Sequence, residues 1–209
     1  MLRSLSLDKK HTRPEDVLHF WFGPLDSDGL PGLEATLLWF TGGPDFDQKI
    51  RDCFASEVDA ALRGECDEWA RTPQGRLALV LLLDQFTRNI FRGTARAFAG
   101  DVQALKHASV ALDRAEDQEL RPIERLFLYM PFEHAEDRAQ QTRVVSLCER
   151  LLEEAPAKGR ALFQGGLDYA RRHQVVIDRF GRFPARNSAL DRVSTPEETE
   201  FLRHNKAGF

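Results

Sequence analysis

The sequence predicts an all-α protein, an antiparallel helical bundle or solenoid. Three observations carry this. Helix start and stop residues recur along the chain, several segments carry apolar residues at helical spacing, and no segment alternates with the period of a strand. The most strand-like fragment, Val175 to Asp178, sits inside a helical pattern.

The elements follow in order. "TRPEDVLHFWFG" has Thr12 near a cap, Pro14 in the first turn, early acids and Gly23 as a stop. "GLEATLLWFTGG" reads as a short helix closed by glycines. "DFDQKIRDCFASEVDAALRG" places Phe46, Ile50, Phe54, Val58 and Leu62 at a strict spacing of four, an amphipathic stripe ended by Gly64. "TPQGRLALVLLLDQFTRNIFRG" opens with the cap pair Thr72 and Pro73 and stops at Gly93. "DVQALKHASVALDRA" carries Val102, Leu105, Ala108 and Leu112. A helix starting at Pro122 is expected to be interrupted at Pro131, whose ring opposes an unkinked helix. The next is amphipathic through Val144, Leu147, Cys148 and Leu151. A long helix then runs to Gly181, with Gly165 and Gly166 either weakening it or allowing a close crossing. A short terminal helix follows the cap candidates Ser194 and Thr195. No linker, repeat period or low-complexity tract divides the chain, so residues 1–209 are expected to form a single all-α domain.

Composition narrows the function. With 42% apolar and 30% charged residues the chain can bury a core under a polar surface. A net charge of -4 argues against a general nucleic-acid or membrane-surface binder. Three cysteines without CxxC spacing point away from disulfide scaffolding and a zinc cluster, and toward a reducing compartment. The start, "MLRSLSLDKKHTRPEDV", lacks the apolar core of a secretory signal. The longest apolar run, seven residues from Leu77 to Leu83, is too short to span a bilayer. A cytoplasmic location is the expectation.

Three stretches carry candidate chemistry. The first is "LALVLLLDQFTRNIFRG". At about 100° per residue, Leu79, Leu82, Leu83, Phe86 and Ile90 share one side of the helix, and Asp84, Arg88 and Arg92 follow at steps of four on the other, with Gln85 and Asn89 beside them. The first half is apolar all round, which marks a buried helix. Its polar arc should therefore face a cleft or other buried polar groups, because unpaired buried charge is costly. The alternative is a helix that emerges into solvent after Leu83.

The second stretch is "YMPFEHAEDRAQQ". Glu133, Glu136 and Asp137 share a face if a helix restarts after Pro131, and His134 lies alongside. Glu133, His134 and Asp137 are candidate acid and base groups. The plainer reading is that acids near a helix start favour its dipole. No metal site is expected, since no second histidine sits at ligand spacing, and no cofactor is expected.

The third stretch is "HQVVIDRFGRFPARN". From Arg171 to Arg192 there are six arginines against Asp178 and Asp191. Arg179, Arg182 and Arg186, with Asn187, suit a carboxylate or phosphate. The alternative, of equal weight, is that they neutralise the acids of the second stretch in a structural network. His173 is a further ligand-binding candidate, although a lone histidine one turn before Ile177 is more often structural.

Together, "LDQFTRNIFRGTARAFAGD", "MPFEHAED" and "HQVVIDRFGRFPARNSALDRVSTPEE" resemble the bacterial family catalogued as domain of unknown function 924. The resemblance covers almost the whole chain, from "VLHFWFG" to "STPEETEFL". It implies an all-α fold like that of tetratricopeptide-repeat proteins, without their repeat consensus, and it implies no activity. Two positions depart from the family's pattern. A histidine of the last motif is Ala185 here, so if that histidine is a catalytic base in relatives, this chain lacks it. A glycine usual before the next arginine is Asp191.

The first functional expectation is a polar, arginine-rich pocket for a small anionic ligand, its catalytic status open. Asp84, Arg88, Asn89 and Arg92 form one wall, Glu133, His134 and Asp137 supply acid or base, and His173, Arg179, Arg182, Arg186 and Asn187 hold the anion. A second is a scaffold with a groove for a peptide or protein partner. A third is a buried ion-pair network that keeps the helices in register. No nucleic-acid or membrane partner is expected.

Overall fold

Pro73 to Ile90 forms a continuous helical rod at the centre of the protein, in three pieces: α4 (Pro73–Val80), a π-helical turn (Leu81–Phe86) and α5 (Thr87–Ile90). Thr72 caps it through its side-chain oxygen, which accepts from the Gly75 N–H at 3.1 Å. Leu77 through Leu83 are at most 1% exposed, so the seven-residue apolar run is the middle of the core. The computed structural model describes residues 12–205. Residues 1–11, most of the stretch read for a secretory signal, and residues 206–209 lie outside that range. Among the described residues every named element is helical, as the sequence predicts.

Other helices wrap the rod. α1 (Pro14–Phe22) and α6 (Asp101–Asp113) pack on α4, and α3 (Gly43–Leu62) packs on α5 and the π turn. α2 (Leu33–Thr41) leans on α1. α7 (Pro122–Glu133) connects this group to α8 (Arg138–Glu154) and α9 (Arg160–Phe180), which pack along each other. α10 (Pro196–His204) closes the described chain. None of these helices is long and apolar enough to cross a membrane. Cys53, Cys66 and Cys148 are unbridged.

The apolar patterns explain the packing. In α3, Phe46, Ile50, Phe54 and Val58 are buried as their spacing predicts, and Leu62 is partly buried. Val144, Leu147, Cys148 and Leu151 bury one face of α8. In α6 the predicted stripe is offset. Val102 is 82% exposed, and the buried face is Ala104, Ala108 and Ala111, small residues that bring α6 close to the rod. Aromatic rings fill the space between α1, α2, α3 and the rod. Trp39 meets Phe127 edge-on at 4.6 Å between centroids, and Phe54 meets Phe86 at 5.1 Å.

Two glycine-rich readings resolve here. Gly166 is a close crossing, since a Cβ there would stand 2.9 Å from a Leu126 methyl of α7, whereas Gly165 faces open space. Gly181 ends α9 with φ +68°, a left-handed conformation that favours glycine. Pro131 corrects the expectation of an interrupted helix. It lies inside α7, two residues from its end, so the helix continues past it with the loss of one backbone hydrogen bond. The helix does not restart at Glu133 but stops there.

Candidate functional site

Asp84 lies in the π turn with no solvent exposure. A π turn holds more residues than an α turn, so a wheel drawn at constant α pitch fails across it; such turns recur at functional sites. The widened turn presents Asp84 to the end of α7. His134, the residue capping α7, places Nδ1 2.7 Å and 2.9 Å from the two Asp84 oxygens. The Gln85 amide also donates to Asp84. Arg88 approaches Asp84 at 3.1 Å, at the i, i+4 spacing expected from the sequence.

The end of α7 is held from two sides. The buried Gln141 of α8 donates through Nε2 to the carbonyls of Glu133 at 2.6 Å and Ala135 at 2.8 Å. Arg186 Nη2 donates to the His134 carbonyl at 2.9 Å. Carbonyls at a helix end lack partners of their own and carry partial negative charge, so an amide and a guanidinium suit them.

Asp101, the first residue of α6, joins two stretches that the sequence leaves apart. It receives both Arg88 Nη atoms, at 2.8 Å and 3.0 Å, and Arg186 Nη1 at 3.2 Å. Arg186 is sandwiched by Phe183 and Phe98, its guanidinium carbon 4.5 Å and 4.8 Å from their ring centroids. His173 of α9 completes the wall. Its Nδ1 lies 3.0 Å from the Tyr169 carbonyl and 3.4 Å from a Glu133 oxygen.

Part of this network lines a cleft of about 420 Å³, a size that suits a small molecule. Arg88, His134, His173 and Arg186 face it beside Trp39, Phe98, Tyr169 and Ala185. Asn89 and Arg92 line the mouth, tied to Asp47 of α3: Asn89 Nδ2 at 2.7 Å, Arg92 at 2.7 Å and 2.8 Å.

Burial and charge set the protonation states. Burial lifts the Glu133 carboxyl to about 8, reinforced by ionised Asp84, so it is mostly protonated at neutral pH. Burial also favours neutral imidazoles. It lowers His134, with Arg88 adding repulsion, and takes His173 down to about 3 with His134 nearby. Burial would raise the Asp84 carboxyl, but Arg88 and His134 outweigh it and hold it well below the carboxylate range. Arg186 is lowered to about 10 by burial and by Arg88.

Four sequence-predicted residues go elsewhere. Asp137 is exposed and caps α8, accepting from the Gln140 N–H at 2.9 Å, which is the helix-start role. Arg179 pairs on the surface with Glu197 at 2.8 Å. Arg182 grips Glu198 of α10 at 2.6 Å and 2.8 Å, and buried Asn187 joins the same carboxylate at 3.3 Å. These last two lock α10 down and leave only Arg186 of the arginine run in the cleft. Glu136 is neutralised by Arg192 at 2.7 Å and 2.9 Å, as the network reading proposes for these acids. The sequence reading missed Asp101, Asp47 and Gln141. The first looks like any acid at a helix start, and the other two lie on ordinary helical faces.

A family model described as "Bacterial protein of unknown function (DUF924)" matches residues 17–206. A search of the curated proteins finds no match. Among solved structures, a protein of unknown function from Agrobacterium tumefaciens, ATU0120, is 38% identical. The alignment covers 91% of this chain and 97% of that one, with a TM-score of 0.76.

Proposed function

For a chain that belongs to the bacterial family of unknown function DUF924, we propose that the cleft binds a small anionic molecule, its carboxylate or phosphate set against Arg186 and Arg88. One observation carries this reading. Two largely buried guanidiniums, their side chains 20% and 13% exposed, face one cleft and meet at the carboxylate of Asp101, with Asp84 as a second partner of Arg88 alone. A bound anion would relieve the repulsion that lowers Arg186, and a guanidinium fork matches either oxyanion. Trp39, Phe98 and Tyr169 offer apolar surface to the rest of the ligand.

Groups suited to proton transfer stand at the cleft wall and behind it. Asp84 keeps the His134 hydrogen on Nδ1, which leaves Nε2 as a base, and protonated Glu133 is a nearby acid.

Calorimetric titration with inorganic phosphate, and with succinate as a carboxylate probe, tests the binding. Saturable binding of either probe that is lost in Arg186→Met is the expected result. Ala185→Leu narrows the cleft without removing a charge and should also weaken it. No saturable binding of either probe, or binding unchanged in both variants, overturns the reading.

A further inference from the structure

We propose that Glu133, His134 and His173 form a site for one divalent transition-metal ion in the wall of the cleft. Among the described residues, these three each offer a ligand atom within 4.8 Å of the other two. Two imidazoles and one carboxylate are a donor set for Zn²⁺ or Fe²⁺, and three protein ligands leave positions open for water or a ligand. Donors around a tetrahedral ion sit about 3.4 Å apart, so closure requires shifts of about 1 Å.

Hydrogen bonds set the tautomer of each ring. The Asp84 carboxylate and the Tyr169 carbonyl can only accept hydrogen bonds, and each faces an Nδ1. Both histidines therefore carry hydrogen on Nδ1 and the lone pair on Nε2. A ligating histidine commonly donates its other nitrogen to a carboxylate or a backbone carbonyl in this way. The two rings stand 6.1 Å apart at 61°. The donors are shielded from water, with Glu133 5% and His173 6% exposed. Gln141 pins the turn that carries Glu133 and His134.

Three cations lie nearby, and Arg172 stands over the Tyr169 ring at 4.6 Å. Arg88 is paired with Asp84 and Asp101, and Arg186 with Asp101. The metal site goes beyond the anion reading and can fail separately from it; an ion there displaces the Glu133 proton and takes the His134 Nε2 lone pair, so it replaces the acid and base roles of those two side chains.

The test uses the full chain treated with chelator, titrated with Zn²⁺ by calorimetry and with Co²⁺ by visible absorbance. One saturable site is expected. Glu133→Gln and His173→Gln should each weaken it about tenfold or more. Glu133→Gln keeps size and hydrogen-bonding capacity, and circular dichroism confirms its fold. His204→Gln, which alters the surface pair with Glu200, should change nothing. No saturable uptake, or uptake that survives the Glu133→Gln, His173→Gln double variant, overturns the site. Phosphate titrated into the chelated protein reads the anion site alone.

Discussion

Gly100 stands against the central rod so closely that a Cβ on it would lie 2.2 Å from the Leu83 carbonyl oxygen. This contact delivers Asp101, the next residue, to Arg88 and Arg186. Any side chain at 100 forces α6 away from the π turn. Gly100→Ala should cost roughly 1–3 kcal/mol through overpacking, lowering the melting temperature by about 2–4 °C per kcal/mol. Gly165→Ala is the control. Gly165 is exposed, lies within α9 and meets nothing within 4 Å, so alanine should stabilise by roughly 0.5–1 kcal/mol. Equal melts for the two variants would refute the close approach.

The buried and surface ion pairs should separate by magnitude. Asp84 is fully buried between Arg88 and His134, and removing one partner of a buried pair costs about 3–5 kcal/mol. Arg92, its side chain 64% exposed, pairs with Asp47 at the surface, where a pair contributes about 0–1 kcal/mol. Denaturant unfolding of Asp84→Ala and Arg92→Ala reads the difference. An Arg88→Met variant that melts like the parent but loses phosphate binding would favour a ligand role over a structural network.

Acid stability should depend on the clasp at α10. Arg182 holds the Glu198 carboxyl down at about 2, against an ordinary 4.5. A group lowered on folding contributes stability above its unfolded value and loses it as pH falls through the folded one. Stability should thus decline between about pH 5 and pH 2. Arg182→Met should flatten that part of the profile. An unchanged slope, read by chemical denaturation across this range, would refute the clasp.

Asp191 holds a left-handed backbone, φ +52°, a conformation that favours glycine. That conformation costs a non-glycine residue about 1 kcal/mol, although aspartate tolerates it better than most. Asp191→Gly should therefore stabilise by a few tenths to about 1 kcal/mol. A thermal melt that falls instead would show the side chain to be needed.

Much of the fold was legible because its signals are local. Thr72 and Pro73 start the rod as their types predict, and Gly181 stops α9. The π turn was not legible. "LLLDQF" reads as ordinary helix, and only the packing of α3, α6 and α7 around it reveals the widened turn. The site was half legible. Asp84, Arg88, His134, His173 and Arg186 converge, whereas Arg179, Arg182 and Asn187 serve α10 and Asp137 caps a helix. A run of arginines shows a charge density but not which helix each member will reach.

By itself the sequence determined the helices, their apolar faces and the residue types available for chemistry, because capping and periodicity act over a few neighbours. Only the tertiary structure decided the partners. His134 reaches Asp84 across 50 positions, and Arg186 reaches Asp101 across 85. The second histidine beside Glu133 comes from another helix. Such pairs depend on how helices pack in three dimensions, and ordering distant charges around one cleft leaves no period in the chain.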